Sequence, residues 1–82
     1  MKLYLSHHAN RELSKIPSSL AETIEKHIQL LSENPYPTNS KKLQGADNWR
    51  IRIGSFRVIY TIDTKRKEIT ILHVADRKTI YR

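Results

Sequence analysis

The hydrophobic period of the chain changes once, and this change constrains the fold more than any other feature. In the first half, apolar residues recur at helical spacing, as in the stripe of Leu20, Ile24, Ile28 and Leu31. From Trp49 onward, apolar and polar residues alternate, which is typical of half-buried strands. A chain of 82 residues is long enough for one small domain and too short for two. We therefore predict a single α+β domain over residues 1–82.

Local signals divide the first half into a strand and two helices. Lys2–Leu5 is predicted to be a short strand, and Ser6 is placed to cap a helix over residues 7–16. Ser19–Glu22 has the spacing of a capping box for a second helix, which the segment Asn34–Pro37 ends. The two helices form a hairpin whose apolar faces need a sheet to cover them.

The second half is predicted to be a sheet reached through a loop. Residues 34–48 are rich in Pro, Asn, Ser, Lys and Gly, which favours a loop. Strands are then expected at residues 49–53, 57–62 and 69–75, with a tight turn at Gly54-Ser55. We expect these strands to form a three-stranded antiparallel meander. Together with the N-terminal strand they make one sheet, with both helices on one face.

Strand alternation predicts which residues turn away from the helices. On the helix side we expect Trp49, Ile51, Ile53, Val58, Tyr60, Ile62, Leu72 and Val74. On the open side we expect Arg50, Arg52, Arg57, Ile59, Thr61, Ile71, His73, Ala75 and Arg77. Four arginines thus share one face, in a register that a slip of one residue would invert. The alternative is that arginine alternating with isoleucine marks only the solvated side of an ordinary strand.

Charge is distributed unevenly along the chain. Residues 1–40 hold four basic and four acidic residues, whereas residues 41–82 hold eleven basic and four acidic ones, so the whole net charge of +7 lies in the second part. This asymmetry favours a polyanionic partner, either nucleic acid or an acidic protein segment, over a merely solubilising surface. No apolar run approaches the roughly 20 residues of a membrane span. The N-terminus is too short and polar for a signal peptide, so we expect a soluble cytoplasmic protein without a membrane partner.

The arginines and a tyrosine near the end of the chain suggest a chemistry. Guanidinium groups match the geometry of phosphate, and several on one face can hold several phosphates. Tyr81 lies four residues beyond Arg77, and surrounding positive charge favours its anionic form. A tyrosinate could take the proton from a ribose 2′-hydroxyl, and arginines could stabilise the phosphorane that follows. Taken alone, Tyr81 is equally consistent with a packing residue.

No cofactor or metal site is expected from the sequence. Cysteine is absent, so there is no thiolate ligand set and no disulfide. His7 and His8 are adjacent and diverge by about 100° on a helix, which makes them a poor pair of ligands. His73 shares the parity of the arginines and is a weak candidate for substrate contact.

Three runs of residues resemble a known family. They are Lys42–Gly45, the stretch Trp49–Tyr60 with its Gly-x-aromatic-Arg turn, and Val74–Tyr81. Together with the order of elements, they resemble the RelE/ParE superfamily of toxins from toxin–antitoxin systems, over nearly the whole chain. RelE-type toxins are ribosome-dependent endoribonucleases that cut mRNA, whereas ParE-type toxins share the fold and poison DNA gyrase.

The resemblance implies a role for each candidate residue. Tyr81 would be the general base, Arg57 would stabilise the transition state, and Arg77 would assist the leaving group. The remaining basic candidates would bind RNA: Arg50, Arg52, Lys41 and Lys42.

The resemblance also implies partners. On the RelE reading, the protein is a metal-independent endoribonuclease that acts on mRNA in the ribosome. A cognate acidic antitoxin would neutralise it, and operator DNA would be reached only through the antitoxin complex. The alternatives are a ParE-like gyrase inhibitor without nuclease chemistry, or an inactive basic binding module.

Overall fold

Seven regular elements make up the part of the chain that the computed structural model describes, residues 1–43 and 47–76. In chain order they are β1 (Lys2–Leu5), α1 (His7–Ser14), α2 (Ser18–Leu31), β2 (Ser40–Lys42), β3 (Asn48–Ile53), β4 (Phe56–Asp63) and β5 (Glu68–Asp76). Apart from β2, each begins and ends within two residues of the bounds that the hydrophobic period predicts.

The five strands form one mixed sheet in the order β1-β5-β4-β3-β2. β3, β4 and β5 are the predicted antiparallel meander, and β1 adds to it in parallel beside β5, from Lys2 opposite Glu68 to Leu5 opposite Ile71. Residues of both helices pack with one side of this sheet into a single apolar cluster. The α+β class with helices on one face is therefore confirmed.

The edge strand β2 was not predicted, because its residues were assigned to the loop 34–48. Its three residues, Ser40–Lys42, are polar and pair only with β3, so no apolar alternation marks them. Lysines are common on edge strands, where charge discourages pairing with another chain. The Asn39 side chain extends the contact by donating to the carbonyl oxygen of Arg52 at 3.2 Å.

The first helix begins as predicted and the second does not. Ser6 caps α1, because its hydroxyl oxygen accepts from the amide of Ala9 at 3.0 Å. The capping box expected at Ser19–Glu22 is wrong, since Pro17 is the N-cap and α2 begins at Ser18 without a side-chain cap. Proline has no side-chain oxygen that could accept from the first amides of the helix, so α2 has no side-chain cap. Within the described ranges, neither helix is long and apolar enough to cross a membrane.

The apolar core lies between the helices and the sheet. The helices contribute Ala9, Leu13, Ile24, Ile28 and Leu31. The strands contribute Ile51, Ile53, Val58, Tyr60, Ile62, Ile69, Ile71 and Val74. Leu20 was expected in the α2 stripe but is 48% exposed. It lines a shallow pocket together with residues of the turn between β3 and β4.

A β-bulge in β5 corrects the predicted alternation of that strand. Ile59 of β4 lies opposite His73, but the next residue, Tyr60, lies opposite Ile71, so Leu72 is an additional residue. Ile71 is buried and Leu72 is only partly buried, the reverse of the prediction. An inserted residue shifts the side-chain parity of a strand. After the bulge the parity returns to the predicted one, with Val74 in the core.

Candidate nucleic-acid interface

Four basic side chains from three neighbouring strands share the sheet face turned away from the helices. Lys41 of β2 lies opposite Arg50 of β3, and Arg52 of β3 lies opposite Arg57 of β4. Ile51, between the two β3 arginines, is in the core, so the arginines point to the other side. We call Lys41, Arg50, Arg52 and Arg57 the basic face.

The four side chains differ in their exposure. Arg50 and Arg57 are partly buried, and the Nε atom of each is shielded from solvent. Arg52 and Lys41 are exposed. Partial burial restricts the rotamers of the two inner arginines, which reduces the entropy lost when they bind a ligand.

The register places like charges directly across from one another. Opposing residues on antiparallel strands have Cβ atoms about 4.5–5.5 Å apart, and like charges at that distance are destabilising. The basic face contains two such pairs, Lys41 with Arg50 and Arg52 with Arg57. An anion placed over them offsets the repulsion, and phosphate suits the planar donor geometry of guanidinium. The arrangement is therefore chemically suited to binding a phosphate backbone.

The turn between β3 and β4 fixes the register that places Arg52 opposite Arg57. Ile53 lies opposite Phe56, so only Gly54 and Ser55 connect the strands. Gly54 has a φ of 60°, and a Cβ added there would meet no atom within 4 Å. Backbone conformation, rather than space, therefore favours glycine at this position.

Three predicted site residues do not belong to the basic face as the structure describes it: Lys42, Arg77 and Tyr81. Lys42 lies opposite Trp49, so its parity is that of the helix side, although its side chain is exposed. Arg77 and Tyr81, the predicted leaving-group and base residues, lie outside the described residues. Their roles, like those of the arginines, stay predictions.

Tyr60 is a structural tyrosine. It is fully buried, and its hydroxyl donates to the carbonyl oxygen of Pro35 at 2.8 Å, which ties the loop after α2 to β4. Burial raises the pKa of Tyr60 above its usual range, against a smaller opposing effect of a hydrogen bond with Ser40. Tyr60 is therefore held neutral, as expected for a packing residue.

A cluster of ionisable side chains, which sequence reasoning missed, lies where α1 meets β5. Glu12 Oε1 is 3.8 Å from His8 Nε2 and 3.7 Å from His73 Nδ1. The spacing of His8 and Glu12, four residues apart on a predicted helix, was the available signal. The third member could not be foreseen, because the packing of α1 on the bulged part of β5 brings His73 to them.

Sequence comparisons identify relatives over nearly the whole chain. A family profile described as the ParE toxin of the type II toxin–antitoxin system, parDE, matches residues 3–81. A candidate RelE1 toxin of Methanocaldococcus jannaschii is 32% identical over 76 residues, covering 88% of this chain and 84% of the relative.

Solved structures share the fold. A chain of the archaeal RelE–RelB complex from Pyrococcus horikoshii superimposes with a TM-score of 0.84 at 27% identity, covering 93% of each chain. A chain of the RelBE2 toxin–antitoxin complex from Mycobacterium tuberculosis gives a TM-score of 0.83 at 26% identity, covering 93% of this chain and 96% of that one.

These findings define a toxin of a type II toxin–antitoxin system with the RelE fold. The chain belongs to the RelE/ParE superfamily and to its RelE-like branch, so the resemblance seen in the sequence is confirmed.

Proposed function

We propose that this toxin is a ribosome-dependent endoribonuclease that cleaves mRNA. The observation that carries the proposal is the register of the basic face, which sets Lys41 opposite Arg50 and Arg52 opposite Arg57. Such pairs favour a ligand with closely spaced negative charges, and a phosphodiester backbone is one. The similarity to RelE toxins supports RNA as that ligand.

The basic face would hold the RNA backbone on both sides of the scissile phosphate. Arg50, Arg52 and Lys41 bind phosphate, and Arg57, whose partial burial restrains it, stabilises the charge that develops on the phosphorane. Lys42 is on the other side by parity, so we assign it a peripheral contact with RNA.

The chemistry would rest on protein groups without a metal ion. The deprotonated Tyr81 takes the proton from the ribose 2′-hydroxyl and becomes neutral, and the 2′-oxygen attacks the adjacent phosphorus. The bond from phosphorus to the 5′-oxygen breaks as the new bond forms. The charge of Arg77 stabilises the departing 5′-oxygen, which takes up a proton from water. The products are a 2′,3′-cyclic phosphate and a 5′-hydroxyl.

An antitoxin is the proposed regulatory partner. The two structures described above are toxin–antitoxin complexes, which supports a cognate partner of the same kind here. An acidic segment of that partner would compete for the basic face. Exposed apolar side chains, such as Leu30 on α2 and Tyr36 in the loop after it, give the antitoxin an additional surface to bind. Operator DNA would be bound through the antitoxin, and the complex would act in the cytoplasm.

A second candidate is a gyrase inhibitor without nuclease chemistry. The specific observation in its favour is the matching family profile, which is described as a ParE toxin. This activity requires binding to a protein, and it does not require Tyr81 to act as a base.

The experiment that tests the proposal is translation in a purified system, with mRNA ends mapped by primer extension. Codon-phased cuts are expected with the unaltered toxin. In Tyr81→Phe the cleavage rate is expected to fall about 10²–10⁴-fold, the range for lost proton-transfer catalysis. Full-rate cleavage by Tyr81→Phe would remove the base assignment while leaving the nuclease.

Supercoiling by purified gyrase is measured in parallel. Intact mRNA together with inhibited supercoiling would favour the second candidate. No effect in either assay would leave an inactive basic binding module.

A further inference from the structure

The cluster at the junction of α1 and β5 has the composition and the spacing of a metal site. His8, Glu12 and His73 each offer one ligand atom, and these three atoms lie within 4.8 Å of one another. Two imidazoles and one carboxylate are the ligands that divalent transition metals such as zinc prefer. The cluster contains no residue of the basic face, and it borders that face at His73, which lies across Ile59 from Arg50.

Two elements hold the ligands in place. His8 and Glu12 are four residues apart on α1 and therefore lie on the same side of the helix. The start of α1 is fixed against β5, because the Ser6 amide donates to the Ile71 carbonyl at 2.8 Å and the Ser6 hydroxyl donates to the Leu72 carbonyl at 2.9 Å. The ligand set thus depends on a fixed junction rather than on a loop.

The carboxylate is further oriented by the backbone of β5. Glu12 Oε1 accepts a hydrogen bond from the Val74 amide at 2.9 Å. A carboxylate has about four lone-pair sites, so this bond leaves capacity for a metal. Hydrogen bonds of this kind, made by the ligands themselves, orient ligands in known metal sites.

The distances are compatible with coordination after a small adjustment. A tetrahedral zinc ion with nitrogen ligands at about 2.0–2.1 Å holds its ligand atoms about 3.4 Å apart. The two histidine-to-carboxylate distances are 3.8 and 3.7 Å, and the two imidazole rings, with centroids 4.7 Å apart, also have to reorient toward the ion. The His8 and His73 side chains are 63% and 52% exposed, so their torsions can change without disturbing the core. The same exposure leaves room for water as a fourth ligand.

We propose that His8, Glu12 and His73 bind one divalent transition-metal ion of the zinc class, which joins α1 to the second half of β5. The ion is structural and takes no part in RNA cleavage. Without a metal, the same residues would serve only as a polar cover for the edge of β5, with Glu12 as an acceptor for Val74.

Zinc titration of the full chain, prepared without a histidine tag, tests the proposal in competition with a chromophoric chelator. One zinc ion per chain is expected. His8→Asn and His73→Asn should each lower the affinity more than about tenfold, the lower limit for the loss of an outer-shell partner. Glu12→Gln keeps an acceptor for the Val74 amide, so it should lower zinc affinity while the fold is retained. His7→Asn is the matched control on the same helix and should bind zinc as the unaltered chain does.

Histidine resonances in the unaltered chain give a second test that does not depend on how variants fold. Zinc should shift the imidazole signals of His8 and His73 at one equivalent and leave those of His7 and His27 in place. The same ion should raise the unfolding temperature, because it binds the folded state. Equal shifts at all four histidines, or equal affinity in His7→Asn and His8→Asn, would overturn the proposal.

Discussion

The two faces of the sheet differ in what they contact, although the same strands supply both. On the helix side, Ile51, Val58 and Ile71 are at most 2% exposed and pack in the core. The residues just before Ile51 and Val58 are Arg50 and Arg57, which are partly buried and lie on the other side of the sheet. The difference places the residues of the core and the residues of the proposed RNA interface at alternate positions of the same strands. Substitutions at adjacent positions should therefore affect one property and spare the other.

The largest expected effect is on the helix side. Ile71→Ala removes a fully buried side chain and should lower the free energy of unfolding by about 2–5 kcal/mol. Ile59→Ala is the matched change on the open face, where the side chain is partly buried, and should cost less than about 2 kcal/mol. Urea denaturation measures both, and equal losses would contradict the division between the faces.

On the open side, Arg57→Ala should act on the reaction. If Arg57 stabilises the transition state, its removal should slow mRNA cleavage by about 10²–10³-fold, as the loss of one such donor does elsewhere. Arg66→Ala, in the loop between β4 and β5, removes the same charge away from the basic face and should cleave at nearly the full rate. Equal slowing in the two variants would show that net charge matters and position does not.

Tyr60→Phe tests the tie between the helix side and the loop after α2. The change leaves the Pro35 carbonyl without its donor and should cost about 1–3 kcal/mol. Tyr36→Phe, at an exposed position, is the control and should have little effect on the free energy of unfolding measured in urea.

The contribution of Tyr60 to the free energy of unfolding should also depend on pH. Burial raises the pKa of Tyr60 in the folded state above its ordinary value of 10.0, so above that pH the unfolded chain loses this proton first. The contribution of Tyr60 to stability is therefore complete below pH 10.0 and declines as the pH rises toward the folded-state pKa. Tyr60→Phe should lose stability less steeply than the unaltered chain above that pH.

The smallest expected effect concerns the salt dependence of RNA binding. Arg52→Ala removes one exposed cation from the basic face and should reduce the slope of log affinity against log salt by about 0.7 for a single strand. Lys42→Ala removes an exposed cation of opposite parity and should change the slope less. Binding to a single-stranded RNA oligonucleotide at several salt concentrations measures both, and an equal change would show that parity does not define the interface.

The hydrophobic period of the sequence predicted most of the fold, because packing of the core requires each element to present an apolar face. The helices and the meander bury one apolar stripe or one strand face each, and those patterns are visible in the residues themselves. β2 was missed because Ser40–Lys42 buries almost nothing. The bulge at Leu72 was missed because an inserted residue is defined by the partner strand and leaves no mark in its own sequence.

The candidate site was predictable to the extent that it lies on regular strands. Parity alone placed Arg50, Arg52 and Arg57 on the open face, as the register has them. Lys42 was grouped with them because β2, and hence its parity, was not foreseen. His8, Glu12 and His73 could not be grouped, since only tertiary packing brings residues from α1 and β5 together.

The parallel pairing of β1 with β5 has a consequence for the time course of synthesis. Lys2 lies opposite Glu68, so β1 leaves the ribosome well before β5 and waits for that strand before it has a partner. At about 5–20 residues per second, that wait lasts several seconds. Contacts so distant along the chain also slow folding itself. A nascent chain that ends before residue 68 therefore cannot complete the sheet, and assembly of the fold is postponed until β5 has been made.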